Sequence, residues 1–138
     1  MKGIISLAVL LALCISAVAV DVPNMVGNWT ESAVGVGYLT NTNWQATGDF
    51  AYWDENNTYV ITEQNGTRFA GMVTSADNPM SAERIVGVID ADHNNSVFMV
   101  DEGGIFWGEM ISPTEIEIFY QKVGADGIEV SRGILTKE

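Results

Sequence analysis

The sequence predicts an all-β fold, an eight-stranded antiparallel up-and-down β-barrel, and three observations carry that reading. Between Asn57 and Glu138 short β-type runs alternate with turn clusters, a Gly27-Asn28-Trp29 run precedes them, and the connections are too short for anything but antiparallel pairing. The clusters are Asn65-Gly66 and residues 92–95, 102–104, 112–114 and 124–127, all rich in residues that tolerate positive φ or bond their own backbone. Strands are expected at residues 26–31, 58–64, 68–73, 83–90, 96–101, 105–110, 115–122 and 128–136.

Alternation then assigns faces. In residues 115–122, Ile116, Ile118 and Tyr120 share one face and Glu115 and Glu117 the other, so the first three are expected inside. In residues 105–110, Glu109 belongs in water, which sends Phe106, Gly108 and Met110 inward and leaves Ile105 and Trp107 outside. A three-residue turn at 112–114 would pair Met110 with Ile116, Gly108 with Ile118 and Phe106 with Tyr120. Phe69-Ala70-Gly71 repeats the Phe-x-Gly pattern, its glycine leaving room beneath a curved wall. Residues 32–56 hold Gly35, Gly37, Tyr38, Trp44, Phe50, Tyr52 and Trp53, too aromatic for a flexible linker. They are expected to form a long aromatic loop or lid, a partial strand, or both.

Residues 1–19 read as a signal peptide: Lys2 supplies the positive start, residues 3–16 are almost wholly apolar, and Ala17-Val18-Ala19 offers a cleavage site. The competing readings are an uncleaved anchor over residues 4–20 and a lipid attached at Cys14. Removing 19 of the 138 residues leaves 119, one barrel domain over residues 20–138 without cysteine, so disulfides and thiolate metal sites are excluded from it. A secreted or cell-envelope location follows from the leader. The chain carries 18 Asp and Glu against six Lys and Arg, one of them Lys2, and so lacks the clustered cations that nucleic acid requires. Like charge keeps an exported domain soluble. Sequons at Asn28, Asn56, Asn65 and Asn94 are candidate glycosylation sites.

The Gly27-Asn28-Trp29 start, the meander after it and an Arg on the last strand resemble the calycin superfamily of lipocalins, fatty-acid-binding proteins and avidins. That resemblance implies that Trp29 closes one end of the barrel and that Arg132 packs across it. The run Val26-Gly27-Asn28-Trp29-Thr30 is also similar to avidins, yet Glu31 stands where they place a ureido-binding Asn, which argues against biotin. A second lipocalin motif is not recognisable. The stretch from Glu63 to Gly71 is similar to one in small secreted microbial proteins without assigned activity.

Catalytic chemistry is not evident, and no cofactor is implied. The single histidine, His93, sits in a turn without a nucleophile elbow nearby. Residues 90–96 place Asp90, Asp92 and Asn94 at alternate positions, as at the start of a calcium loop, with Asp101 where the twelfth position would fall, but Asn95 stands where that loop needs Gly and strands flank it instead of helices, which leaves them weak metal candidates. Glu109 opposite Glu117 on the outer surface would need a cation or a diagonal Lys122. The expected function is non-enzymatic binding of a small apolar or aromatic ligand among Phe69, Phe106, Met110, Ile118 and Tyr120. The alternative is a filled barrel that acts as an envelope interaction protein and self-associates through an outward Trp107–Phe119 pair. A third reading, a calycin-type isomerase or cyclase, needs only a shaped pocket and one polar group.

Overall fold

A computed structural model describes residues 22–39, 50–125 and 127–138. Eight strands form a closed barrel: β1 (Gly27–Leu39), β2 (Phe50–Asn65), β3 (Arg68–Ser75), β4 (Ala82–Asp90), β5 (Ser96–Val100), β6 (Ile105–Ser112), β7 (Glu115–Gly124) and β8 (Gly127–Lys137). Each strand pairs antiparallel with its chain neighbours, and β8 returns to β1, the expected up-and-down order. Residues 1–19, read from the sequence as a signal peptide, lie outside the described residues.

The largest departure from the sequence reading is at residues 32–56. Most of this stretch is strand: β1 and β2 pair without interruption from Gly27 opposite Ile61 to Tyr38 opposite Phe50. Only residues 40–49 of it lie outside the described part. Gly35 and Gly37 make the pairing work, because the Trp53 indole lies flat across both and a Cβ at either position would strike it. Residues that looked irregular along the sequence are therefore complementary across the ladder.

The β6–β7 register is the expected one, with Met110 opposite Ile116, Gly108 opposite Ile118 and Phe106 opposite Tyr120. The turn differs. Ser112 pairs with Glu115, leaving a two-residue tip, and a bulge at Ile111 takes up the odd residue. Gly71 and Gly108 both lie where a neighbouring strand comes close: a Cβ on Gly71 would meet the Val60 carbonyl, and one on Gly108 the Glu117 carbonyl. The room these glycines leave is taken by backbone, which lets the wall curl tightly.

Inward side chains fill one end of the barrel. Trp29, Tyr59, Ile61, Phe69, Ile85, Ile89, Val97, Met99, Phe106, Ile116, Ile118 and Leu135 form one apolar cluster with Met25 and Val73, and Met110 and Tyr120 pack against it. The chain before β1 folds over this end. Trp29 Nε1 donates to the Met25 carbonyl at 2.8 Å, and the Gln64 amide accepts from Met25 N at 2.6 Å while donating to Pro23 at 2.9 Å.

The cation at the closed end is Lys137 rather than Arg132. Lys137 Nζ lies 5.4 Å from the centre of the Trp29 ring and donates to the Asn24 carbonyl at 2.6 Å. Arg132 sits on the outer face of β8, with Phe119 and Val34 as its ladder neighbours, and donates from Nε to Glu117 at 2.6 Å. Parity explains the difference: Trp29 lies opposite Lys137, and the inward face of β8 is Glu129, Ser131, Gly133, Leu135 and Lys137. In equilibrium urea unfolding, Trp29→Ala should cost about 3–5 kcal/mol as a cavity at the plug, whereas Arg132→Ala should cost about 0–1 kcal/mol as the loss of an exposed ion pair. A loss at Arg132 approaching that at Trp29 would overturn this account of the closed end.

Candidate functional site

Above the plug the inward positions change character. On β2 the inward series runs Ile61, Tyr59, Asn57, Glu55, Trp53, from apolar through polar to aromatic. On β7 it runs Ile116, Ile118, Tyr120, Lys122, and on β8 from Leu135 and Gly133 to Ser131 and Glu129. Tyr59, Asn57, Glu55, Trp53, Tyr120, Lys122, Ser131 and Glu129, with Glu31 from β1, Ser75 from β3, Glu83 from β4 and Asp101 after β5, line an open cup of about 230 Å³ at the end of the barrel away from Trp29. Phe106 and Val73 also reach it, at the boundary with the core.

Glu31 stands at the cup's deepest polar position, 3 % exposed, and is the one buried charged residue among the described residues. Its Oε2 accepts from the Tyr59 hydroxyl and from Asn57 Nδ2, each at 2.8 Å. Gly133 makes the space: a Cβ there would run into the Glu31 carboxylate. Burial pushes the Glu31 carboxyl above its ordinary value of 4.5, the bonds from Asn57 and Tyr59 pull it back, and the charge of Glu55 adds to the rise. Tyr59 is pushed well up as well, first by burial and then by the adjacent Glu31 charge.

The walls repeat this electrostatic pattern. Glu55, Glu83 and Asp101 are all raised, chiefly by partial burial, and for Glu55 and Glu83 also by neighbouring carboxylates. Burial and then the charges of Asp101, Glu129, Glu83 and Glu55 raise Tyr120 far above the usual phenol range, so one hydroxyl senses four of the acids. Five carboxylates line the cup against one cation, Lys122, whose Nζ lies 3.6 Å from Glu129. The acids stand apart around the wall: among the described residues no three His, Cys, Asp or Glu gather closely enough to hold a metal ion.

Aromatic faces complete the site. Phe106 meets Tyr120 at 4.6 Å between ring centres and Tyr59 edge-on at 6.3 Å. The Tyr120 ring rests on Gly104, in a turn that Asp101 holds by accepting from Gly103 N at 2.8 Å and Gly104 N at 2.6 Å. Trp53 forms the opposite wall, seated on Gly35 and Gly37.

Of the residues expected to hold an apolar ligand, Phe106 and Tyr120 line the cup, Phe69 and Ile118 lie in the packed core, and Met110 packs against that core. The apolar end of the barrel is occupied by its own side chains. Asn57, Glu55, Glu83 and Glu129 were not singled out as site residues from the sequence, and Glu31 and Asp101 were noted only at the avidins' ureido-binding position and at the end of the calcium-loop pattern. Their signal was the sharing of a strand face with core residues, as Glu55 and Asn57 share one with Tyr59 and Ile61. In the β4–β5 turn, Asp90 accepts from Asp92 N at 3.2 Å and contacts His93 Nδ1 at 2.9 Å, with Asn94 and Asn95 at positive φ, so its oxygens serve the turn. The sequon residues Asn28, Asn56, Asn65 and Asn94 are all exposed. Compared with known proteins, the chain matches no family model and no curated protein.

The raised carboxyls fix a pH dependence. Each acid loses its proton at higher pH in the folded chain than in the unfolded one, so between the ordinary value and the raised value the native state holds more protons. Stability therefore falls as pH rises through that window and levels off above it. The melting temperature should be higher near pH 5 than near pH 7.5, and Glu31→Gln, which keeps an acceptor for Tyr59, should flatten the profile. A melting temperature that climbs steadily over the same range would contradict the cup electrostatics.

Proposed function

We propose that the protein is an exported, non-enzymatic binding barrel whose cup takes a small organic cation, one carrying an ammonium or guanidinium group. The observation that carries this reading is Glu31, a carboxylate held at the base of a cavity within the barrel, with its orientation set by Tyr59 and Asn57. A fixed, desolvated carboxylate answered by a cationic donor regains the solvation it has lost, and charge-assisted bonds of this kind are the strong ones. The remaining acids are distributed around the wall, which suits an extended cation with separated donors. Phe106, Tyr120 and Trp53 offer faces on which such a cation or its carbon stem can lie. The volume is below the ~300–1,000 Å³ of sites for drug-sized ligands and suits a small solute.

An apolar ligand, the expectation from composition and family resemblance, finds less support: the apolar half of the interior is filled, and the open half is lined by carboxylates. Export remains part of the reading because of the leader-like segment 1–19.

Thermal denaturation with a panel of small solutes tests the proposal. At least one of 1,4-diaminobutane, arginine and tetramethylammonium should raise the melting temperature saturably, since a ligand at 100 times its Kd adds about 2.7 kcal/mol of stability. Glu31→Gln should abolish the shift, and binding should weaken from pH 7.5 to pH 5 as the carboxylates take up protons. Shifts confined to fatty acids or neutral aromatics, or none with any cation, would overturn the assignment.

A further inference from the structure

The cup offers a cationic donor two separate places, one at its base and one at Gly103. At the base, both hydrogen bonds that Glu31 accepts, from Asn57 and Tyr59, end on Oε2. Its Oε1 stands over Gly133 and accepts none among the described residues. Every fully buried side-chain oxygen and nitrogen among them has a partner, so Oε1 is open to the cavity that Glu31 lines. A residue only 3 % exposed thus presents one carboxylate oxygen to whatever enters the cup.

Gly103 lies in the turn between β5 and β6. A Cβ built on it would lie 3.0 Å from Tyr120 Oη, 3.5 Å from Asp101 Oδ1 and 3.6 Å from Glu83 Oε2. Three oxygens carried by β7, the end of β5 and β4 therefore converge on a face that bears no side chain. Gly103 is not among the glycines at positive φ, so its backbone does not demand glycine; the missing side chain leaves space between the oxygens. Asp101 Oδ1 is held in place by Gly103 N and Gly104 N. Glu83, Asp101 and Glu129 on this side of the cup face one cation, Lys122, which lies 3.6 Å from Glu129 and whose charge also bears on Glu83 and Asp101. Three carboxylates outnumber that ammonium.

We propose that the cup takes a linear dication, an α,ω-diamine with one ammonium on Glu31 Oε1 and the other among Tyr120 Oη, Asp101 and Glu83. This rests on the organic-cation reading of the cup and narrows it. The surface between the two places selects the linker. Tyr59 meets Phe106 edge-on at 6.3 Å, and Phe106 meets Tyr120 at 4.6 Å, a continuous aromatic run. Tyr59 carries the hydroxyl that bonds Glu31, and Tyr120 the hydroxyl at Gly103, so the run begins at one acid and ends at the others. Such a surface suits methylene groups, as the stem of a lysine lies along apolar faces while its head stays polar. An ammonium brings three N–H donors, matching the three oxygens around Gly103. A monocation answers one place and leaves the other without a partner, whereas a diamine makes charge-assisted bonds at both.

Isothermal titration calorimetry on the protein expressed from its full chain tests this with diamines from 1,3-diaminopropane to 1,6-diaminohexane, each against the monoamine of the same chain length. Salt at about 0.15 M screens general attraction to an acidic surface. The expected result is a preferred diamine length that binds at least about tenfold more tightly than its monoamine. Gly103→Ala changes no charge but places a methyl group among the three oxygens, and Glu83→Gln removes one acid. Each should cut that ratio to about threefold or less, whereas Glu31→Gln should weaken diamine and monoamine alike, with circular dichroism confirming the fold of each variant. Monoamines that bind through Glu31 as tightly as the diamines overturn the dication and leave the cationic cup standing. No binding by any amine overturns both. A diamine advantage that survives Gly103→Ala and Glu83→Gln overturns the inference by placing the second ammonium elsewhere.

Discussion

The hydrogen bond from Tyr59 to Glu31 joins two halves of the barrel that otherwise follow opposite rules. Below it the inward side chains form the apolar cluster, with Lys137 over the Trp29 ring at the far end; above it the inward positions carry acids, amides and hydroxyls. Tyr59 suits the boundary because its ring is part of the apolar cluster while its hydroxyl reaches the carboxylate at 2.8 Å. Without that donor and Asn57, Glu31 would be a buried charge lacking side-chain bonds, a cost of several kcal/mol. The plug therefore stabilises the fold, and the cup is held open as a site at the plug's upper surface. Gly133 shows how closely the two are fitted, since a single methyl group there would contest the place of the Glu31 carboxylate.

Much of this fold was legible because turns and alternation are local signals. The turn clusters marked the hairpins, and β6 and β7 revealed their register because Glu109, Glu115 and Glu117 point to water while Phe106, Ile116 and Ile118 do not. The Ile111 bulge was invisible for a physical reason: a three-residue turn and a two-residue turn with one bulge give the same pairing. Residues 32–56 were harder, because their order arises from one contact across strands, Trp53 on Gly35 and Gly37, between residues far apart in the chain.

The reading failed instructively on β8. Alternation separates two faces but does not say which is inside; that choice comes from assuming that apolar residues face in. The calycin resemblance that packs Arg132 across Trp29 requires Arg132, and with it Val130 and Ile134, to lie on the inner face. The opposite face, Glu129, Ser131, Gly133, Leu135 and Lys137, is the inner one. Lys137 then falls opposite Trp29 and takes the place expected of Arg132. The same assumption hid the cup. Glu55 and Asn57 share a face with Tyr59 and Ile61, and following that face along β2 would have carried acids into the barrel.

The acidic cup and the apolar outward residues of β4, β7 and β8 follow one pattern. In a strand of period two, polar residues can face inward only if the alternate residues face outward, and in the upper half of β8 those alternates are Ile128 and Val130. On β7, Lys122 inside is flanked by Val123 outside, and on β4, Glu83 inside gives way to Val86 and Val88 outside as the strand descends. On these strands the polar interior is accompanied by apolar residues on the outer wall, whereas β2 is polar on both faces from Asp54 to Thr58. A chain of net charge −12 carries five of its acids in the cavity. The acidity that reads from composition as a general aid to solubility is, in the folded molecule, also placed where it shapes the cup.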